Sequence, residues 1–152
     1  MTNEESIVEK FIKLVGKEQE PEVWEAGKEH IKWFAQAIGD SNPLWQDKAF
    51  AEKSRYKNII GPPLYLIDVG LVKLVDRLVE MDSLRANING GTEVEYFKPI
   101  KAGDTITTIA KLADVQERKG KTGSLIFLVV EVKYTNQKAE LVAICRNTFI
   151  HR

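Results

Sequence analysis

Pro63-Leu64-Tyr65-Leu66-Ile67-Asp68-Val69-Gly70-Leu71-Val72-Lys73-Leu74-Val75-Asp76-Arg77-Leu78-Val79-Glu80-Met81 is the stretch whose reading decides the fold. Its apolar residues point in nearly every direction around the first turns of a helical wheel, and a helix apolar on most sides has to be surrounded. Lys73, Asp76, Arg77 and Glu80 come late, so the C-terminal end is expected to emerge into water. The spacing predicts a helix over 63–81, approached through the extended pair Pro62-Pro63. Asp68 is the one acid in its apolar part, facing a subunit interface or a cavity, and a functional role for it stays open.

What surrounds such a helix comes next in the chain, where the period changes. Segments 92–96, 105–115, 125–134 and 140–149 are rich in Val, Ile, Thr, Phe and Tyr and often alternate, as strands do. Turn signals separate them: Pro99-Ile100-Lys101-Ala102-Gly103-Asp104, Arg118-Lys119-Gly120-Lys121-Thr122-Gly123 and Thr135-Asn136-Gln137-Lys138. Connections this short demand antiparallel neighbours, so the expectation is a meander curled around the helix, an α+β fold. Leu125-Ile126-Phe127-Leu128-Val129-Val130 is apolar on both faces. One face meets the helix; the other needs a second cover, from the early helices or from another subunit.

Upstream, Ile7, Phe11, Ile12, Leu14 and Val15 lie close to helical spacing and Gly16 ends the segment. Residues 1–19 thus read as a covering helix and connector to one domain spanning 1–152. Val23-Trp24-Glu25 reads as a short extended piece, 27–38 as an amphipathic helix, and Asp47 as the cap of a short helix over 48–53. Between the last two lies Gly39-Asp40-Ser41-Asn42-Pro43-Leu44-Trp45, a carboxylate, a carboxamide and a helix-breaking proline in one turn. That composition suits a site, and equally an ordinary turn.

Composition narrows the partners. At 152 residues, 43% hydrophobic and 29% charged, the chain has the profile of one folded domain with a real core. Lys plus Arg and Asp plus Glu both number 22, so no positive excess exists to neutralise a phosphate backbone, and nucleic acid is set aside. The N-terminus matches neither a signal peptide nor a membrane span, so the expectation is a cytoplasmic protein with no membrane association. One cysteine and two histidines leave little to hold a metal.

A buried helix wrapped by an antiparallel sheet and preceded by Gly39-Asp40-Ser41-Asn42-Pro43-Leu44 resembles the MaoC-like hydratase and dehydratase family, whose fold is the hot dog. The resemblance runs from about Pro21 to the C-terminus. It includes Tyr56-Lys57-Asn58-Ile59-Ile60-Gly61-Pro62-Pro63-Leu64, Gly90-Gly91-Thr92-Glu93, and Phe97-Lys98-Pro99-Ile100-Lys101-Ala102-Gly103-Asp104. The proline pair and the Gly-Gly-x-Glu stretch are most similar to the FAS1-like, or N-terminal MaoC, branch. That branch includes the small subunits of mycobacterial-type (3R)-hydroxyacyl-ACP dehydratases.

In catalytic members the loop reads Gly-Asp-x-Asn-Pro-aliphatic-His, and the Asp and His act together on a water and on the proton alpha to a thioester carbonyl. The resemblance further implies a backbone N–H at the start of the central helix that stabilises the enolate-like oxygen. This chain keeps Asp40 at the aspartate position but has Trp45 where the histidine belongs, and Pro62 aligns with the glycine that supplies the N–H. An indole is no base, and proline has no N–H.

The expectation is therefore a non-catalytic or weakly catalytic subunit, either a homodimer or a heterodimer with a chain that carries the Asp-His dyad. Asn42, Trp45, Gly61, Pro62, Leu64, Gly90 and Gly91 would line the substrate, an acyl-CoA or acyl-ACP, and no cofactor is implied. The alternatives are a self-sufficient enoyl-CoA hydratase using Asp40 with another group, and a non-enzymatic acyl-thioester-binding homodimer.

Other residues have plainer readings. His30 reads as a helical surface histidine before a surrogate base, His151 as part of a fraying end, and Cys145 as a small buried strand residue. Glu93 and Glu95 share one strand face, solvated before catalytic. Arg118, Lys119 and Lys121 read as a solvated hairpin turn, with contact to carrier phosphates as the functional alternative.

Overall fold

Ser6 opens the first helix, α1 (Ile7–Ile12), with a capping box: its hydroxyl accepts from the Glu9 N–H while the Glu9 carboxylate accepts from the Ser6 N–H. The computed structural model describes residues 6–67, 69–81, 87–121 and 123–151. Strand β1 (Glu22–Glu25), α2 (Lys28–Ala37), a 3-10 turn (Pro43–Trp45) and α3 (Lys48–Lys53) follow. Asp47 caps α3 by accepting from the Phe50 N–H at 3.1 Å. Then come α4 (Val72–Met81), β2 (Asn87–Tyr96), β3 (Thr105–Gly120), β4 (Gly123–Thr135) and β5 (Leu141–His151).

The five strands form one antiparallel sheet in the order β1-β3-β4-β5-β2. The expected meander holds for β3, β4 and β5, but β2 lies on the far side of β5 and not beside β3. The segment after β2 spends its backbone groups elsewhere. The Gly61 N–H donates to Ile100 O and the Ala102 N–H to Ile59 O, so this stretch pairs with 59–61 instead of closing a hairpin onto β2.

The helix predicted over 63–81 is regular only from Val72. Before it, Tyr65, Ile67 and Val69 donate three residues back, to Pro62 O, Leu64 O and Leu66 O. Gly70 ends this run of turns at φ +76, and a Cβ there would lie 2.6 Å from the Thr108 hydroxyl. Close approach to β3 and a left-handed residue together interrupt the helix. Tyr134, fully buried on β4, donates its hydroxyl to Val69 O at 2.7 Å and Leu66 O at 3.0 Å, pinning the turns to the sheet. Leu66, Leu74 and Leu78 are buried while Leu64 and Val72 are half exposed, so this stretch is two-sided and not enclosed.

The inner face of the sheet carries Ile126, Leu128, Val130 and Val132 into the core. The outer face holds Leu125, Phe127 and Val129 half-buried, with the Arg118 guanidinium over the Phe127 ring at 4.6 Å. Arg118 and Lys119 therefore stand in β3, paired with Leu125 and Ser124, and the hairpin turn is shorter than expected. Further along this face Glu131 lies between Lys111 (3.2 Å) and Arg146 (2.9 Å), its neighbours across β3 and β5. His151 does not fray: it is the last residue of β5, buried, edge-on to Phe11 of α1 at 6.4 Å between ring centres. Pairing on both sides, with Asn87 and Ile126, holds it.

Candidate active site

Helix α2 ends in a Schellman motif, with the Gly39 N–H donating to Gln36 O and the Asp40 N–H to Ala35 O. Gly39 supplies the left-handed residue at φ +71. The turn delivers Asp40 to the centre of a closed hydrogen-bonded loop. Its Oδ1 accepts from the Asn42 N–H at 3.0 Å, and its Oδ2 accepts from Trp45 Nε1 at 2.9 Å. Asn42 in turn caps the 3-10 turn by accepting from the Leu44 N–H, and the Gln46 amide donates to Asp40 O. Both carboxylate oxygens are thus held by donors, one from an indole that has no lone pair to take a proton. Trp45 is buried, and Asp40 and Asn42 are partly so.

The approach to the central turns offers no oxyanion donor over 61–63. Gly61 donates its N–H to Ile100 O at 2.9 Å, and Pro62 and Pro63 have none to give. Beside them opens a groove of about 380 Å³ lined by Trp45, Gly61, Pro63 and Tyr96, with the cations Arg55 and Lys98 at its edge. Tyr96 donates its hydroxyl to Pro63 O, and burial pushes its pKa up to about 12, so it stays a neutral donor. Arg55 stacks over the Tyr56 ring at 4.7 Å, and Lys98 pairs with Glu140 at 2.7 Å.

The structure gathers Asp40, Asn42 and Trp45 in one loop and sets Trp45 and Gly61 on the wall of one groove. Pro62, buried, and Leu64, half exposed, are not among the groove's lining residues. Gly90 and Gly91 are not among the groove's lining residues. They form a bulge in β2, where the Asn89 side chain accepts from the Gly91 N–H and a Cβ on Gly90 would crowd Ile150. Asp68 lies outside the described residues. His30 is exposed on α2, edge-on to Trp33; Cys145 is buried and donates its thiol to Asn147 Oδ1; Glu93 and Glu95 are exposed on β2. Tyr96, Arg55 and Lys98 escaped the sequence reading because only the tertiary fold brings the end of β2 against Pro63.

Comparison with known proteins gives this arrangement its family. Residues 13–145 match the family described as FAS1-like, dehydratase domain region. The chain is 31% identical over 144 residues to a UPF0336 protein of Saccharopolyspora erythraea, covering 91% of this chain and 89% of that one. It is 30% identical over 125 residues to a UPF0336 protein of Parafrankia sp., covering 79% of each. Among solved structures it is similar to the C-terminally truncated HadBC (3R-hydroxyacyl-ACP dehydratase) complex of Mycobacterium tuberculosis, with TM-score 0.71, 20% identity, and 90% of this chain and 96% of that one covered.

The ChsH1-ChsH2 complex of the same organism is similar with TM-score 0.74 and 20% identity, covering 95% of this chain and 88% of that one. The chain belongs to the FAS1-like dehydratase domain family, and its fold is the hot dog. Among the described residues no helix is long and apolar enough to cross a membrane.

Proposed function

We propose that this chain is the supporting subunit of a cytoplasmic (3R)-hydroxyacyl-thioester dehydratase or enoyl-thioester hydratase, paired with a chain of the same fold that carries the Asp-His dyad. The observation that carries this reading is the 2.9 Å hydrogen bond from Trp45 Nε1 to Asp40 Oδ2. Adding water to an enoyl thioester requires one group to take a proton from water and another to deliver a proton to carbon. Here the residue at the base position is a permanent donor, the carboxylate is already engaged on both oxygens, and the backbone at 61–63 has no free N–H for the enolate-like oxygen.

The loop then serves as a rigid wall. Asp40 and Asn42 hold it, and Trp45 with Gly61 and Pro63 lines the groove against which an acyl group lies. Arg55 and Lys98 at the edge of the groove suit the phosphates of an acyl-CoA or acyl-ACP. No cofactor enters this reading, because the thioester itself acidifies the alpha carbon. Pairing is supported by the two-chain complexes to which the fold is similar.

The test is co-expression with a candidate partner that has Gly-Asp-x-Asn-Pro-x-His intact, followed by assay on crotonyl-CoA. The pair is expected to form a stable complex and to hydrate the substrate. Asp40→Asn in this chain leaves that activity in place, whereas the same change in the partner abolishes it. Hydration by the isolated chain that depends on Asp40 would overturn the proposal. A self-associating chain that binds acyl-CoA and forms neither complex nor product with any such partner points instead to the binding module.

A further inference from the structure

Across the outer face of the sheet runs a row of four charges, one on each of four adjacent strands. Lys111 of β3 is registered against Glu131 of β4, Glu131 against Arg146 of β5, and Arg146 against Glu93 of β2. Direct cross-strand partners share a face, so the row reads plus, minus, plus, minus. Glu131 takes both cations, Lys111 at 3.2 Å and Arg146 at 2.9 Å, whereas the exposed Glu93 has no ion-pair partner among the described residues. Toward the β3-β4 hairpin the same face turns apolar, with Val129 beside Thr148, then Phe127 beside Ile150, then Ile88. Val129, Phe127 and Ile150 are half-buried and Ile88 is 56% exposed, so this side of the sheet is open in the single chain.

We infer that this face packs against the same face of a second copy of the chain, about a two-fold axis that lies between β4 and β5 and runs close to the strand direction. Such an axis exchanges β4 with β5 and β3 with β2. Glu131 then faces the partner's Arg146, and Lys111 faces the partner's Glu93, so every charge in the row meets its opposite. Phe127 meets the partner's Ile150 in the same arrangement. The other axis that lays the row on itself runs across the strands and sets Lys111 on the partner's Lys111 and Glu131 on the partner's Glu131, which like-charge repulsion opposes. The row therefore selects both the occupant and its orientation, because isologous pairing requires a self-complementary patch. Packed sheets cross at about 30°, which tilts the axis about 15° from the strands and offsets the outermost pair by a few ångströms, a distance a lysine stem spans. By strand spacing and rise, four strands over 125–133 of β4 make a face about 19 Å by about 27 Å. That is roughly 500 Å² a copy in projection, enough for a specific pair. The face shares no residue with the groove at Trp45, so the pairing holds or fails independently of the hydratase reading.

The experiment is sedimentation velocity of the full chain at about 100 μM, carried in a Leu64→Glu, Phe97→Glu background so that association at the β2 edge does not mask this one. The background is expected to be a dimer. Glu93→Lys sets like charge against the partner's Lys111, and Lys111→Glu sets like charge against the partner's Glu93, so each is expected to weaken the dimer about tenfold or more. In an equimolar mixture of the two, one chain of each kind again pairs every charge with its opposite, and dimers are expected to return to the level of the background. Mixing repairs a mismatch between chains and not a folding fault within one. Thr148→Arg is the second probe: it sets a long cation at the centre of the face, free to reach water in the single chain, and is expected to leave a folded monomer by far-UV circular dichroism. A monomeric background, single variants that stay dimeric, a mixture that associates no better than its components, or a dimeric Thr148→Arg would each overturn the inference. So would a background that associates only with a co-expressed chain carrying the Asp-His dyad.

Discussion

Trp45 donates to Asp40 at 2.9 Å and can accept nothing in return, so the loop's carboxylate is steadied by a group outside acid-base chemistry. Replacing the indole by phenyl removes the donor together with part of the buried bulk. Trp45→Phe is therefore expected to lower stability by about 1.5–3 kcal/mol or more, the range for losing a hydrogen bond to a charged group, as read by urea unfolding. Trp45→His restores an imidazole but not the backbone donor that Pro62 lacks, and crotonyl-CoA hydration by the isolated variant should stay close to background.

Gly70 is the other residue where one atom decides. A methyl there meets both a left-handed φ of +76 and the Thr108 hydroxyl at 2.6 Å, so Gly70→Ala should cost about 2 kcal/mol or more. Adding Thr108→Ala should recover little of that loss, because the Cβ of residue 108 stays 2.7 Å from the new methyl and the backbone strain is unchanged.

At the level of elements, the turns over 64–71 are held by tertiary contacts more than by their own bonds. The Tyr134 hydroxyl has a single proton to share between Leu66 O and Val69 O, and Tyr134→Phe should cost about 1 kcal/mol. Amide exchange should quicken over 64–71 and change little in β3 and β4, since only the peg is lost.

The outer face of the sheet has its own pH dependence. Burial by itself would raise the Glu131 carboxyl, but hydrogen bonds and charge from Lys111 and Arg146 more than offset it and hold it below the ordinary glutamate range. A carboxyl with a lowered folded pKa contributes stability that is present above the unfolded value and is lost as pH falls through the folded one. Unfolding free energy should thus decline on the acid side of the glutamate range. Glu131→Gln should flatten that decline while lowering stability near neutral pH.

For the molecule as a whole, the sheet ends in a ten-residue strand, β2, that pairs only with β5 among the described residues. Long open edges invite another chain, and half-exposed Ile88, Tyr96, Phe97 and Leu64 add apolar surface along it and beside it. Sedimentation is expected to show association, with itself or with a co-expressed catalytic chain. Leu64→Glu combined with Phe97→Glu should weaken that association while the far-UV spectrum is kept, because both side chains are already in water in the single chain. A monomer before substitution would remove the role given to this edge.

The sequence by itself determined the strands, the α2 helix with its Gly39 stop, and the loop from Asp40 to Trp45, because period, capping and turn chemistry are local properties. It also determined that position 45 holds no base, which is a matter of residue identity. Only the tertiary structure decided that β2 crosses to the far edge of the sheet, that the apolar run after Pro63 breaks at Gly70 against Thr108, and that His151 is clamped between strands. Each depends on which distant backbone comes within hydrogen-bonding or van der Waals range. The two sides meet in one contact: the sequence put an indole five residues after an acid, and the fold of the turn closed them to 2.9 Å, making a site-shaped loop into a locked one.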